Sequence, residues 1–144
     1  MNIYVLDASV AARFLLFEEL SDKAEHVLED FMDGKIDLVA PELLIYEIGN
    51  VLWKACKQGL VDLQDVKEKF SYFLKLGISF LKLEKVDHEN TIVLSVKNDL
   101  TYYDAAYIVV TEKVNAVLLS ADNTLYEIAC REVPTLHLKD YKKM

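Results

Sequence analysis

The chain has 144 residues, 53% of them hydrophobic, with only 4 Gly and 2 Pro. That length fits one domain able to bury a sizeable core, and so few Gly and Pro exclude a long disordered linker or a low-complexity chain. With Asp and Glu at 24 against 16 Lys and Arg, the net charge of −8 argues against a broad phosphate-binding face.

The opening "NIYVL" (Asn2–Leu6) is a β-rich run that stops at Asp7. It has no basic leader and is too short for a secretory signal, and no later apolar run nears the ~20 residues that span a bilayer. "ASVAARFLLF" then reads as a helix. "SDKAEHVLEDFMDGK" follows as another, with Ser21 as its cap and Gly34 as its stop. "IDLVAP" is a second strand, and Glu42 to Gln58 is helical up to Gly59. A helix capped by Asp62 and ended by Gly77 leads into "ISFLKL" (Ile78–Leu83), a third strand. Two helices come next, "DHENTIVLSVKNDL" and "TYYDAAYIVVTEKV". The buried strand "AVLLSAD" (Ala116–Asp122), the short helix "NTLYEIACRE" and a last strand "TLHL" (Thr135–Leu138) complete the series. The charged end, Lys139 to Lys143, reads as a frayed terminus. Strands separated by helices imply parallel βαβ units, hence a three-layer α/β/α sandwich around a mostly parallel sheet of four to five short strands, in one domain over residues 1–144. Cys56 and Cys130 are too few for a disulfide framework or a metal motif. They suggest reduced, mostly buried thiols and a cytoplasmic protein.

Four acids stand in apolar surroundings. Asp7 and Asp122 each follow a strand and precede a helix, where Asp also serves as a helix cap. Asp104, three residues after Thr101 in "TYYD", resembles half of a capping box. Glu47 in "LLIYEIGNVLW" caps nothing, and no Lys lies three or four residues away. A carboxylate there is costly without a partner. Asn50 shares its helix face and Tyr46 adjoins it. In an open parallel sheet, ligands bind outside the carboxyl ends of the strands. Asp7 and Asp122 converge there if their strands are neighbours. Asp104 reaches the same rim if its helix runs antiparallel to the next strand, and the Glu47 helix can supply the fourth acid. Crowded carboxylates without a matching base suit a hard divalent cation, and an all-oxygen set favours magnesium or manganese over zinc.

These blocks resemble the PIN domain, and in particular the VapC-type toxins of prokaryotic toxin–antitoxin pairs. "YVLDASVAARFLL" matches the family's strand, acid and nearby hydroxyl; "APELLIYEIGNVLWKACKQGL" is similar to its Glu followed by Asn at i+3. "LTYYDAAYIVVTEKVNAVLLSADNTL" resembles the aromatic-Asp-Ala helix and the strand ending in hydroxyl-x-Asp. The resemblance implies that Asp7, Glu47, Asp104 and Asp122 are the catalytic and metal-binding acids, supported by Ser9, Ser120 and Asn50. It further implies one or two Mg2+ or Mn2+ ions, endonucleolytic cleavage of RNA by water to a 5′-phosphate and a 3′-hydroxyl, an antitoxin partner and a homodimer.

Two features depart from the family pattern. Many relatives carry a basic residue after the last Asp, where this chain has Asn123 and Thr124, and the net charge is acidic. RNA binding then falls to Arg13, Lys54, Lys57 and Arg131 if they ring the site. Tyr102, Tyr103 and Trp53 are able to stack on bases, although core or interface packing is the simpler role for each. His26, His88 and His137 are scattered and carry no catalytic signal. Two other functions fit parts of the pattern. One is a catalytically silent binding module of the same fold, motivated by the acidic charge. The other is an Asp-based phosphotransfer domain, which lacks here the second acid after the first strand and a Lys after a late one.

Overall fold

In the computed structural model, which describes residues 2–144, five strands form one sheet: β1 (Asn2–Leu6), β2 (Ile36–Pro41), β3 (Ser79–Leu81), β4 (Val117–Ser120) and β5 (Thr135–His137). All four pairings are parallel, in the order β3-β2-β1-β4-β5. The helices are α1 (Ala8–Ala11), α2 (Ser21–Met32), α3 (Leu43–Lys57), α4 (Leu63–Leu74), α5 (Lys85–Asn98), α6 (Tyr102–Lys113) and α7 (Asn123–Ala129). Parallel neighbours require right-handed crossovers. The chain therefore steps outward from β1 to β3 with α1–α4 on one face. It then crosses back through α5 and α6 to β4, with α7 leading on to β5. The expected three-layer α/β/α sandwich is the fold observed.

Val5 and Leu6 of β1, Leu38 and Ala40 of β2, and Leu118 and Leu119 of β4 are buried in the sheet. Central parallel strands are covered on both faces, which is why they read as continuous apolar runs. On one face α6 packs across β1, β2 and β4. Seven consecutive residues of α6, Ala105 to Thr111, are buried. A helix buried on every side carries no polar stripe, which accounts for the unbroken apolar pattern around Asp104. Gly59 (φ +78) ends α3 in the left-handed conformation, and Leu60 N donates back to Ala55 O at 2.9 Å.

Several local expectations are corrected. "ASVAARFLLF" is not one helix: α1 stops after four residues and tightens into a 3-10 turn at Ala12–Phe14. The Arg13 guanidinium secures that turn, donating to the carbonyls of Ser9 (2.6 Å) and Glu19 (2.7 Å). Ser21 does not occupy the cap of α2. Leu20 does, at φ 69, while Ser21 Oγ accepts from Glu18 N. β3 and β5 have three residues each, shorter than the runs that announced them; both are edge strands, paired on one side only. Cys56 is half-buried and Cys130 exposed, so the thiols are not sequestered.

The C-terminal segment is anchored rather than frayed. Tyr141 is buried and its hydroxyl donates to Asp30 Oδ2 at 2.7 Å, beside the N–H of Met144 at 2.9 Å. Lys143 pairs with Glu29 at 2.7 Å. Burial alone would raise the proton affinity of Asp30, but these donors, with Lys35 and Lys143 nearby, hold it below the usual carboxylate range. Tyr141→Phe keeps the packing but takes a donor from a buried acid. It should cost about 1–2 kcal/mol of stability, measured as a lower urea midpoint with an unchanged slope.

Candidate active site

β1 and β4 are neighbours, and the order of connections reverses between them, since β1 leads outward to β2 and β4 to β5. Loops diverge at such a switch point and leave a crevice at the carboxyl ends. Asp7 follows β1 and Asp122 lies two residues past β4, so both stand at this crevice. α3 leaves the same rim after β2, which puts Glu47 in its second turn. α6 must run antiparallel to β4, so it starts at that rim with Asp104 in its first turn. Four separate segments thus deliver the four acids to one end of the sheet.

The acids are held differently. Asp7 is only 4% exposed. Its Oδ1 accepts from Ser9 Oγ (2.5 Å) and from Val10 N (3.2 Å), and its Oδ2 from Ser120 Oγ (2.5 Å). The two serines also brace the crevice: Ala121 N donates to Ser9 Oγ at 2.8 Å and Asp122 N to Ser120 Oγ at 3.0 Å. Asp122 caps α7 through Leu125 N at 3.0 Å. Capping and a place at the crevice therefore coexist in Asp7 and Asp122. In Asp104 they do not. Thr101 is the cap, accepting from Asp104 N at 3.1 Å, and the return bond of a capping box, present at α4 and α5, is not made. Glu47 Oε1 accepts the hydroxyl of Tyr107 at 2.5 Å.

The electrostatics run one way. Burial pushes Asp7 up to about 6 against the hydrogen bonds of Ser120, Ser9 and Val10, and Asp122 adds to the rise. Burial also raises Glu47, opposed by Tyr107 and reinforced by Asp104. Asp104 is raised by burial and by Asp122. Repulsion thus links the acids in the order Asp7, Asp122, Asp104, Glu47. Among the described residues, none of the four forms an ion pair with Lys or Arg.

This donor set suits a hard cation. It is all oxygen, it lacks internal countercharge, and Asp7 is charged at neutral pH at a cost. Among the described residues, however, no three His, Cys, Asp or Glu side chains stand together as a ready ion cage. Magnesium tolerates that, because it retains several waters and takes one or two carboxylates alongside phosphate oxygens. The residues fit such an ion at an open rim and do not fit a closed calcium or zinc cage.

Beside the acids lies a cleft of about 550 Å³ lined by Ala8, Leu43, Tyr46, Glu47, Asn50, Val51 and Tyr103. Asn50 is therefore next to Glu47, as its spacing implied. Tyr103 and Trp53 are 57% and 54% exposed, so neither is packed into the core of this chain. Among the described residues, none of the four basic side chains expected at the site is ion-paired to one of its acids. Arg13 donates to two backbone carbonyls, one of them that of Ser9. Lys54 lines a neighbouring cleft with Leu16, Val61 and Lys69. Lys57 sits 5.1 Å over the Trp53 ring. Arg131 lies beyond the far end of α7 from Asp122. At Asn123, His137 takes part instead: its Nδ1 accepts from Lys139 N, so Nε2 carries the proton and donates to Asn123 Oδ1 at 2.8 Å.

The raised Asp7 gives a pH dependence of known sign. Between about pH 4, where an unfolded Asp titrates, and about 6, only the folded state holds this proton. Stability without metal should fall as pH rises through that window, by on the order of 2 kcal/mol for Asp7 alone. In chelator, the melting temperature should drop between pH 5 and 7. Asp7→Asn should flatten that drop and melt higher than the unsubstituted chain at pH 7.

Comparison with known proteins agrees with this architecture. The model of the PIN domain matches residues 4–130. The chain is 31% identical over 128 residues to "Ribonuclease VapC3" of Pyrobaculum aerophilum, covering 85% of this chain and 92% of that protein. It is 36% identical over 83 residues to "Exonuclease VapC9" of the same organism, covering 58% and 60%. In fold it resembles a chain of VapBC2 from Rickettsia felis, solved bound to a DNA fragment from their promoter, with TM-score 0.70 at 13% identity over 94% of this chain and 98% of that one. With Asp7 and Asp122 at the switch point of a β3-β2-β1-β4-β5 sheet, and the family model and relatives agreeing, the chain belongs to the PIN-domain family and is of the VapC type.

Proposed function

We propose that the chain is a metal-dependent endoribonuclease and the toxin of a toxin–antitoxin pair. The observation that carries this reading is the run of mutually repelling carboxylates, Asp7, Asp122, Asp104 and Glu47, to none of which a basic side chain is paired among the described residues. The likeness to Ribonuclease VapC3 supports the substrate class.

In this reading the four acids hold one or two Mg2+ or Mn2+ ions, which when bound make water nucleophilic near neutral pH and offset the charge growing on the phosphate. The chain's own residues prepare the site. Ser9 and Ser120 fix both oxygens of Asp7, so that its orientation is set before any ion arrives. The Leu125 N–H does the same for one oxygen of Asp122. Without an ion the acids repel a phosphodiester, so they exclude substrate from an unloaded site. Tyr46 and Tyr103, 77% and 57% exposed beside Glu47, offer aromatic faces to unpaired bases.

The reading extends to partners. The VapBC2 structure of similar fold supports a protein antitoxin, and the exposed apolar side chains Val86, Ile92, Val93 and Val96 on α5 are compatible with a homodimer. A second reading, a silent binding module, draws on the net charge of −8 and on Asn123 and Thr124, which stand after Asp122 in place of a basic residue. Cleavage of a circular single-stranded RNA with Mn2+, and its loss in chelator, would support the endonuclease. Asp7→Asn and Asp104→Asn should each lower kcat by ~100-fold or more. An intact circle beside a shortened linear RNA would assign an exonuclease instead, and no cleavage of either RNA the silent module.

A further inference from the structure

We infer that Tyr107 is a positioning residue: its buried hydroxyl, donated to Glu47 Oε1 at 2.5 Å, sets the orientation in which Glu47 faces the acidic rim. The inference rests on the function proposed above and adds a part that no carboxylate motif contains.

Tyr107 lies on α6 one turn after Asp104, so the two side chains share a helix face. Only 1% of Tyr107 is exposed. A hydroxyl this deep needs a partner, because an unsatisfied one costs more than the bond returns. Its partner is not a nearby carbonyl but the carboxylate of Glu47, sixty positions away in the chain on α3. The bond therefore ties together the two helices that bring Asp104 and Glu47 to the rim.

The roles within the bond are fixed by charge. An ionised carboxylate only accepts, so Tyr107 must donate. The hydroxyl is thus a permanent donor, and a charge-assisted O–H···O⁻ bond at this length is among the stronger ones available to a side chain. Glu47 otherwise has three side-chain torsions to order when a ligand arrives, which carries an entropic cost. Tyr107 meets part of that cost during folding. It occupies one carboxylate oxygen and leaves Oε2 for a cation. A phenylalanine would fill the same core volume, so packing alone does not call for the hydroxyl.

The test is Tyr107→Phe in the full chain, with Mn2+ binding followed by calorimetry and RNA cleavage resolved into kcat and KM. Loss of the hydroxyl should weaken Mn2+ binding about 10-fold or more, as expected for a group that orients a ligand. At limiting Mn2+, kcat should fall by a similar factor while KM for RNA stays within about 2-fold, and high Mn2+ should restore much of the loss. On a Glu47→Ala background the same substitution should add nothing to the metal affinity. Wild-type Mn2+ affinity in Tyr107→Phe, or an undiminished effect on the Glu47→Ala background, would overturn the inference. Should Tyr107→Phe fail to fold, proton NMR of the unsubstituted chain serves. A strongly downfield Tyr107 hydroxyl resonance that disappears in Glu47→Ala supports the role, and its absence from the unsubstituted chain counts against it. If the unsubstituted chain neither binds Mn2+ nor cuts RNA, the proposed function fails and this inference falls with it. If it does both and Tyr107→Phe matches it, this inference alone fails.

Discussion

Negative charge concentrated at one end of the sheet is the constraint around which the molecule is arranged. Asp7 is buried and pushed up to about 6, and Glu47 and Asp104 are raised as well. A fold selected for stability alone would place Asn or Ser at these positions, or bring a lysine to them. The same chain shows the usual remedy elsewhere. Asp87, with little exposed surface, is paired with Lys113 at 2.7 Å across α5 and α6 and is held below the ordinary carboxylate range. A neutralised acid in the body of the fold thus contrasts with un-neutralised acids at the rim, which supports the ligand-binding role proposed for them.

The fold makes this arrangement tolerable by supplying donors instead of cations. Asp7 receives two hydroxyls and one backbone N–H, Asp122 a backbone N–H and Glu47 the Tyr107 hydroxyl. Donors of this kind orient a carboxylate and lower its desolvation penalty without cancelling its charge. The rim acids are thereby oriented but still negative, which suits the divalent ion proposed for them. Its position follows from topology. Crossovers that diverge between β1 and β4 open the crevice, and two helices beginning at that end extend the acidic rim.

Much of this was legible in the sequence, for identifiable reasons. Strand–acid–helix runs at Asp7 and Asp122 mark the carboxyl ends of parallel strands, and apolar surroundings with no lysine at i±3 or i±4 set Glu47 apart. Other features were hidden. "TYYD" cannot tell a capping box from a free acid, since both use Thr101. Tyr107 reads as one more core residue in an apolar helix, because its partner lies far away in the chain. The one available signal was a phenol, which needs a hydrogen-bond partner, in a helix with no polar face. For Arg13 and Lys57, helical position does not reveal that the side chain engages backbone carbonyls or lies over the Trp53 ring. The tail "KDYKKM" has the composition of a solvated end. Its anchor is a buried Asp30 on α2, which sequence periodicity alone does not reveal.

The central claim is that the rim acids are gathered for a divalent cation and are not a set of helix caps that happen to be neighbours. Anomalous diffraction from a manganese-soaked crystal tests it most directly. The account predicts a strong peak within bonding distance of at least two of Asp7, Glu47, Asp104 and Asp122, with the Ser9 and Ser120 bonds to Asp7 intact. Carboxylates without a peak, or a crevice in which lysine or arginine side chains take the place of the ion, would contradict it.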